Sequence, residues 1–475
     1  MSGKERRVRT GLALLVLFAG CKAVGPDYQA PGAPEPAAAL PQRDGPGTAL
    51  SAEEAASWWT VLSDPALTRL IEQSLSSNRT LRAASASVRE ARARLSVSRA
   101  GLLPQVDAAG AYRRYRTSDN AGLPSDGDRF SAGFDASWEL DLFGRQRRAV
   151  ESAQASFEAE CATLENVWVS LAAETAQTYT ELQTVRRRLS VAQTNLALQA
   201  ETLDILSSRA KAGLADELAV EQARYNLERT RATLPGLFSA EEAARNALAV
   251  LVGVMPGELA ADRVAPAQIP SAPPRALVGI PADLLRRRPD VRAAERRLAA
   301  QTAKIGEATA DLYPTFSLNG SIGLESLEGK DFFKTGSRFF SLGPSVSWPV
   351  FRAGSIRANI EVQSALQEQA LAAYEQTVLE AVQELRDALS DYAREYERRD
   401  ALEKAAAAAR AAVAISQDQY RNGLTDFNSV LDAQRSLLTF EEAVALSEGA
   451  ITKHLIRVFK ALGGGWSVFA GPAER

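Results

Sequence analysis

The sequence predicts an α+β membrane protein: a long α-helical coiled-coil barrel joined to a transmembrane β-barrel that is shared between chains, built from two internal repeats. Three observations carry this. The 475-residue chain repeats its structure-breaking residues at a constant offset. Each repeat contains two stretches of strict two-residue alternation, each about as long as a membrane-spanning strand. Each also contains a long run with a 3.5-residue apolar period and neither glycine nor proline.

The repeat comes first, because it fixes the boundaries of everything else. Pro104 pairs with Pro314, Gly110 with Gly320, Trp138 with Trp348, Gly144 with Gly354, Gly213-Leu214 with Gly423-Leu424, Asp216 with Asp426 and Gly253 with Gly463, every pair 210 residues apart. These residue types end helices, open turns and cap new elements, so the halves share one architecture. The expected organisation is a signal segment at 1–20, an N-terminal segment at 21–47, one repeat at 48–264, a linker at 265–281 and the second repeat at 282–475. The proline-rich residues 26–46 read as a flexible tether.

The strands are expected at about 105–116, 129–141, 315–326 and 338–350. Val106, Ala108, Gly110 and Tyr112 share one face, as do Phe130, Ala132, Phe134, Ala136 and Trp138 on the next. Soluble half-buried hairpins would show the same alternation. If the strands lie in lipid, four of them cannot close a barrel, and open edges are not tolerated there, so several chains must contribute. Strand counting alone allows a dimer or a larger ring.

Between about 145 and 209 the chain has no proline or glycine. Leu182, Val185, Leu189, Ala192, Leu196, Leu203 and Leu206 form a seam in which Gln199 fills the missing place. Leu371, Tyr374, Val378, Ala381, Leu385, Ala388 and Tyr392 form the corresponding seam. A helix of that length extends roughly 100 Å at 1.5 Å per residue, and its narrow seam must pack against other long helices. Gly213 and Gly423 end the long helices, and Asp216 and Asp426 can cap the next ones.

Composition removes several functions. The net charge of −3 shows no dominant basic face, so nucleic acid is not an expected partner. Past residue 20 no apolar run reaches the roughly 18 residues of a membrane helix. There is one histidine, His454, and no nucleophile–base pair, phosphate loop or metal cluster, so no catalytic residue, metal or cofactor is expected. Glu241-Glu242 and Glu441-Glu442 read as solvated helix faces, and Cys161 as a small buried apolar residue. At the N-terminus, Lys4, Arg6, Arg7 and Arg9 precede the short apolar run Leu12 to Ala19. Leu17-Phe18-Ala19-Gly20-Cys21 then has the form of a lipoprotein cleavage site, with Cys21 as the lipidated residue; an ordinary signal peptide containing a cysteine is the alternative.

Several motifs together resemble one family. They are Cys21-Lys22-Ala23-Val24-Gly25-Pro26-Asp27-Tyr28, Trp58-Trp59 with Asp64-Pro65, Trp138-Glu139-Leu140-Asp141-Leu142-Phe143-Gly144-Arg145, and Arg288-Pro289-Asp290-Val291-Arg292. To these are added Leu431-Asp432-Ala433-Gln434-Arg435 and Gly463-Gly464-Gly465-Trp466. The chain resembles the outer-membrane factor lipoproteins of RND-type tripartite efflux systems, the NodT-like branch of the TolC-like outer membrane efflux proteins. The resemblance implies a homotrimer in the outer membrane, anchored by lipid on Cys21 and extending into the periplasm. It implies a periplasmic adaptor (membrane fusion) protein and an inner-membrane RND-type pump as partners. Gly213, Leu214, Gly423 and Leu424 are implied to touch the adaptor, against the alternative of turn glycines with no partner. Asp432 and Arg435 are implied to hold the periplasmic mouth shut, against the alternative of a surface i,i+3 pair. Asn428 stands where related channels can carry an apolar constriction residue, so the resemblance does not extend to an apolar ring at the gate. The implied function is passive conduction of drugs or other small molecules to the exterior. Metal efflux, protein secretion and a purely structural coiled-coil envelope lipoprotein are the competing readings. Met255 is the only methionine after the signal segment, which speaks against a methionine-lined copper or silver path.

Overall fold

The computed structural model describes residues 22–31, 57–118, 120, 126–259, 268–270 and 287–465. The expected signal segment, Cys21 and most of the expected linker lie outside them. The helices are α1 (Pro65–Ser77), α2 (Arg79–Ala100), α3 (Arg145–Lys211), α4 (Glu217–Arg231), α5 (Leu234–Val252), α6 (Pro289–Ala310), α7 (Ser355–Arg421) and α8 (Phe427–Ala461). The strands are β1 (Gln105–Arg116), β2 (Asp126–Leu140), β3 (Thr315–Ser326) and β4 (Arg338–Ser347). None of the described helices is long and apolar enough to cross a membrane.

The repeat is visible as matched local geometry. α3 and α7 each run 67 residues. Gly144 and Gly354 sit at φ +87° and +85°, where the chain turns from strand to helix. The Trp138 indole N–H donates to the Leu102 carbonyl at 3.0 Å, and that of Trp348 to Leu312 at 3.1 Å. Pro104 and Pro314 each stand immediately before a strand, as a residue that cannot continue a helix should.

Two compact units are present. One comprises the described residues of Met1–Ala33, Ala86–Cys161 and Arg292–Gln376. Its sheet is antiparallel in the order β1-β2-β3-β4, leaving β1 and β4 as edges. Tyr112 faces Phe130, Ile322 faces Phe340 and Phe316 faces Val346, so the apolar faces of all four strands coincide. Two strand bounds differ from expectation. β2 begins at Asp126 rather than 129, because Asp126 and Asp128 pair in register with Arg116 and Arg114. β4 ends at Ser347 rather than 350, where Trp348 turns its indole to Leu312 and Pro349 offers no N–H to a ladder.

In the same unit, residues 26–28 are not the loose start of a tether. The Val24 N–H donates to the Phe143 carbonyl at 3.0 Å. The buried Arg148 guanidinium donates to the carbonyls of Val24 (3.1 Å) and Gly25 (3.3 Å) and to the carboxylates of Asp27 and Glu151, both at 2.7 Å. Its bond to Arg148, and then Lys22, holds Asp27 below its ordinary carboxylate value. Tyr28 packs on Ala155, Ala299 and Ala300 and donates its hydroxyl to Glu295 at 3.1 Å. Burial, then Glu295, pushes that phenol up to about 12.

Gly25 sits at φ +88°, and a Cβ there would lie 2.4 Å from the Gly306 Cα. Gly25→Ala is therefore expected to release residues 22–31. The left-handed backbone alone costs about 1–2 kcal/mol for a non-glycine residue, and the contact with Gly306 adds to it. Hydrogen exchange across 22–31 measures the release; protection equal to wild type would contradict it.

The other unit comprises the described residues of Pro34–Ser85, Ala162–Val291 and Thr377–Arg475. Its core is built on Trp58, stacked on Phe459 with ring centroids 5.4 Å apart, together with Leu67, Ile71, Tyr179, Leu182, Leu248 and Ile456. Asp64 caps α1 through the Ala66 and Leu67 N–H groups and accepts the Tyr179 hydroxyl at 2.9 Å. Of the α3 seam, Leu182, Val185, Leu189, Ala192, Gln199 and Leu206 are buried; of the α7 seam, Tyr374, which belongs to the first unit, and Ala381, Leu385, Ala388 and Tyr392 are.

Two further sequence readings are corrected. Glu241 is held by Arg186 at 2.8 Å, while Glu441 takes Arg410 at 2.6 Å and the Asn195 amide at 3.1 Å, so these are inter-helix pairs rather than solvated faces. Cys161 is only half-buried. His454 is largely covered and sits 3.8 Å from Asp391; burial is the main cause that lowers its pKa, against the pull of that carboxylate.

Candidate functional site

The two helix tips have one construction. At the first, the Gly213 N–H donates to the Ala210 carbonyl (2.9 Å) and the Leu214 N–H to Arg209 (2.8 Å). At the second, Gly423 donates to Tyr420 (3.1 Å) and Leu424 to Gln419 (2.9 Å). This is the paired bonding that ends a helix with a left-handed glycine, and Gly213 and Gly423 take it at φ +73° and +72°. Asp216 and Asp426 then cap α4 and α8 by accepting the N–H groups of Leu218 and Ser429, both at 3.2 Å. In such a motif the residue after the glycine often packs back on the helix. Here it does not: Leu214 is 69% exposed and Leu424 77%. Open space surrounds both glycines. Each tip thus presents a bare backbone turn beside a solvated leucine.

Behind the tips, Leu206, Ala219, Val220, Ala223, Phe427, Val430 and Leu431 form one apolar cluster, with Tyr420 packed against it. Residues from α3, α4 and α8 share it, so both tips stand on a single core. Further along α3, Val185, Leu189, Ala192 and Leu237 form a second cluster. A polar layer separates them. Gln434 donates to the Thr202 hydroxyl at 3.2 Å. Asn226, 1% exposed, accepts from Arg435 Nε at 3.4 Å, while its own amide nitrogen has no partner among the described residues. Gln199, 3% exposed, has neither amide atom bonded to any of them.

Asp432 and Arg435 border this layer on α8. Their closest approach is 3.4 Å; Asp432 is exposed and Arg435 about one-third exposed. The Arg435 guanidinium also lies 5.4 Å from the Tyr225 ring centroid. A bare i,i+3 pair contributes a few tenths of a kcal/mol. What sets this one apart is that Arg435 is fixed from behind by Tyr225 and Asn226 of α4. Sequence reading missed both. The internal repeat offered a signal, since Tyr225 occupies the position in the first repeat that Arg435 occupies in the second. Asn428 is exposed one residue into α8.

On the sheet, the even-numbered face is apolar except at the end nearest the strand connections, where Arg114, Arg116, Asp126, Asp128 and Arg338 lie, and the odd-numbered face carries Asp107, Arg113, Arg129, Ser131, Asp135 and Asn319. That pattern fits a wall with lipid on one side and water on the other.

Strands of membrane length, two open sheet edges and paired coiled-coil tips define a class: membrane channels completed by several chains. The family model for outer membrane efflux proteins matches twice, at residues 70–254 and 280–464. The outer membrane protein OprJ of Pseudomonas aeruginosa is 33% identical over 464 residues, 95% of each chain. SrpC of Pseudomonas putida, a solvent efflux pump outer membrane protein, is 31% identical over 96% of this chain and 97% of its own. The solved structure of the outer-membrane channel OprN superposes with a TM-score of 0.84 at 38% identity, over 93% of this chain and 99% of its own. The chain belongs to the outer membrane efflux protein family. It is an outer-membrane channel of efflux pumps and not an enzyme.

Proposed function

We propose that three copies of this chain form the exit duct of a tripartite pump, closing a twelve-stranded barrel from the four strands of each. An inner-membrane RND-type pump passes substrate through a periplasmic adaptor into the duct, and the adaptor docks on Gly213-Leu214 and Gly423-Leu424. The observation that carries this is the pair of tips, alike in geometry, each with an uncovered leucine where a free-standing helix end would fold it away. Asp432 and Arg435 hold the periplasmic mouth closed until docking parts the helices. Lipid on Cys21 anchors the chain, by burial of acyl CH₂ groups. The substrates are drugs or other small molecules; the solvent pump to which SrpC belongs supports that class.

Leu214→Cys and Leu424→Cys variants, treated with a thiol cross-linker in cells, are expected to trap the adaptor, whereas a cysteine elsewhere on α4, at exposed Glu221, should not. Light scattering of the detergent-solubilised protein should give three chains per particle. A single chain in solution, or no tip-specific adduct, would overturn the corresponding half of the reading.

A further inference from the structure

The odd-numbered face of the sheet holds two like-charged pairs directly opposite one another. Asp107 of β1 faces Asp135 of β2, and six residues further along β1, Arg113 faces Arg129. Like charges in opposed positions destabilise a sheet, so neither pair is explained by folding. Nor are the carboxylates relieved by their surroundings. The other neighbour of Asp135 in register is Ser321, and among the described residues neither Asp107 nor Asp135 has a cationic partner. Glu139, on the same face and nearer the helices, shows the contrast, being neutralised by Arg145 at 2.6 Å. At the basic pair, Glu325 reaches Arg129 at 3.4 Å, and Arg113 has no carboxylate partner among the described residues.

We propose that the barrel lumen is bipolar and selects ions by charge: an acidic belt of Asp107 and Asp135 toward the helices, and a basic belt of Arg113 and Arg129 toward the strand connections. This rests on the closed barrel of three chains proposed above, which sets six carboxylates around one level and six guanidinium groups, three of them offset by Glu325, around the other. Six residues at about 3.4 Å each separate the belts by roughly 20 Å. The Debye length is about 8 Å at physiological ionic strength. The belts therefore do not cancel; each concentrates its own counter-ion. Cations enter readily past the acidic belt and anions past the basic one. A voltage that drives both inward from their favoured ends fills the lumen with ions, and the opposite voltage empties it.

The test is single-channel recording in planar bilayers at 0.15 M salt, on variants first shown to keep the wild-type particle size in detergent, which separates failure of the barrel from failure of the belts. Wild type should pass more current when the periplasmic side is positive. Asp107→Asn with Asp135→Asn should move the reversal potential in a salt gradient toward anion selectivity. Arg113→Gln with Arg129→Gln should move it the other way, and each should reduce the rectification. Adding Ser321→Asp to the Asp107→Asn, Asp135→Asn variant, which restores a carboxylate at the same level, should recover much of the cation preference. Correctly sized particles with wild-type reversal potential and rectification in every variant would overturn the proposal.

Discussion

An Asp432→Ala, Arg435→Ala double variant is expected to carry several times the single-channel conductance of the wild type. The two residues make an exposed i,i+3 contact at 3.4 Å, which by itself contributes little. Arg435, however, is also the donor to the buried Asn226 and the cation over Tyr225. Leaving a buried polar group with fewer partners costs about 1–3 kcal/mol, and here the cost falls on the contact between α4 and α8. The layer containing Gln199, Asn226 and Gln434 interrupts two apolar clusters. Such a layer is where the helices can part with least loss of packing. Tyr225→Ala should therefore raise conductance in part, because it removes the ring beneath the Arg435 guanidinium while leaving the Asp432–Arg435 pair in place. Unchanged conductance in the double variant, with trimers intact, would remove these residues from the closed mouth.

Arg288→Ala is expected to lower stability by about 3 kcal/mol, the low end of the range for breaking a buried ion pair, read as a fall in melting temperature. Arg288 is 7% exposed. It donates to Asp290 and Glu384 at 2.8 Å each and to the Ala461 carbonyl at 2.6 Å. Burial opposes its charge, yet the bonds to Asp290 and Glu384 carry its pKa above the ordinary value. The residue thus ties the start of α6 to α7 and to the end of α8, where Gly463 packs on the Arg288 backbone. Arg288→Lys should recover only part of the loss, because an ammonium cannot reproduce the planar fork. A melting temperature equal to wild type would show the cluster to be dispensable.

What could be read from the sequence was local or periodic. Gly144, Gly213 and their partners in the second repeat announce left-handed turns, since few other residues tolerate them. The strand alternation gave the apolar face, and the seam of α3 could be written down residue by residue. The contacts that complete the candidate site were not legible. Arg148 finds Asp27 from 121 residues away, and Arg435 finds Asn226 from 209. No spacing rule joins such positions. Glu241 and Glu441 were misread for the same reason: a glutamate on a helix looks solvated until the arginine of another helix is brought to it. The β4 boundary failed more simply, because alternation continues through Trp348 and Val350 while the ladder stops before Pro349.

The seating of residues 22–31 has a geometric consequence for any acyl chain carried on Cys21. From Val24, whose N–H is bonded to Phe143, only three residues lead back to that cysteine. Fully extended they reach about 10 Å. The fatty tails would then be moored beside the foot of β2 rather than roaming on a leash, and would occupy the ring of lipid that touches the barrel itself. On this geometry such an anchor would act as a depth gauge, fixing how far the sheet sinks into the bilayer, and the Gly25→Ala release would turn that gauge back into a loose rope.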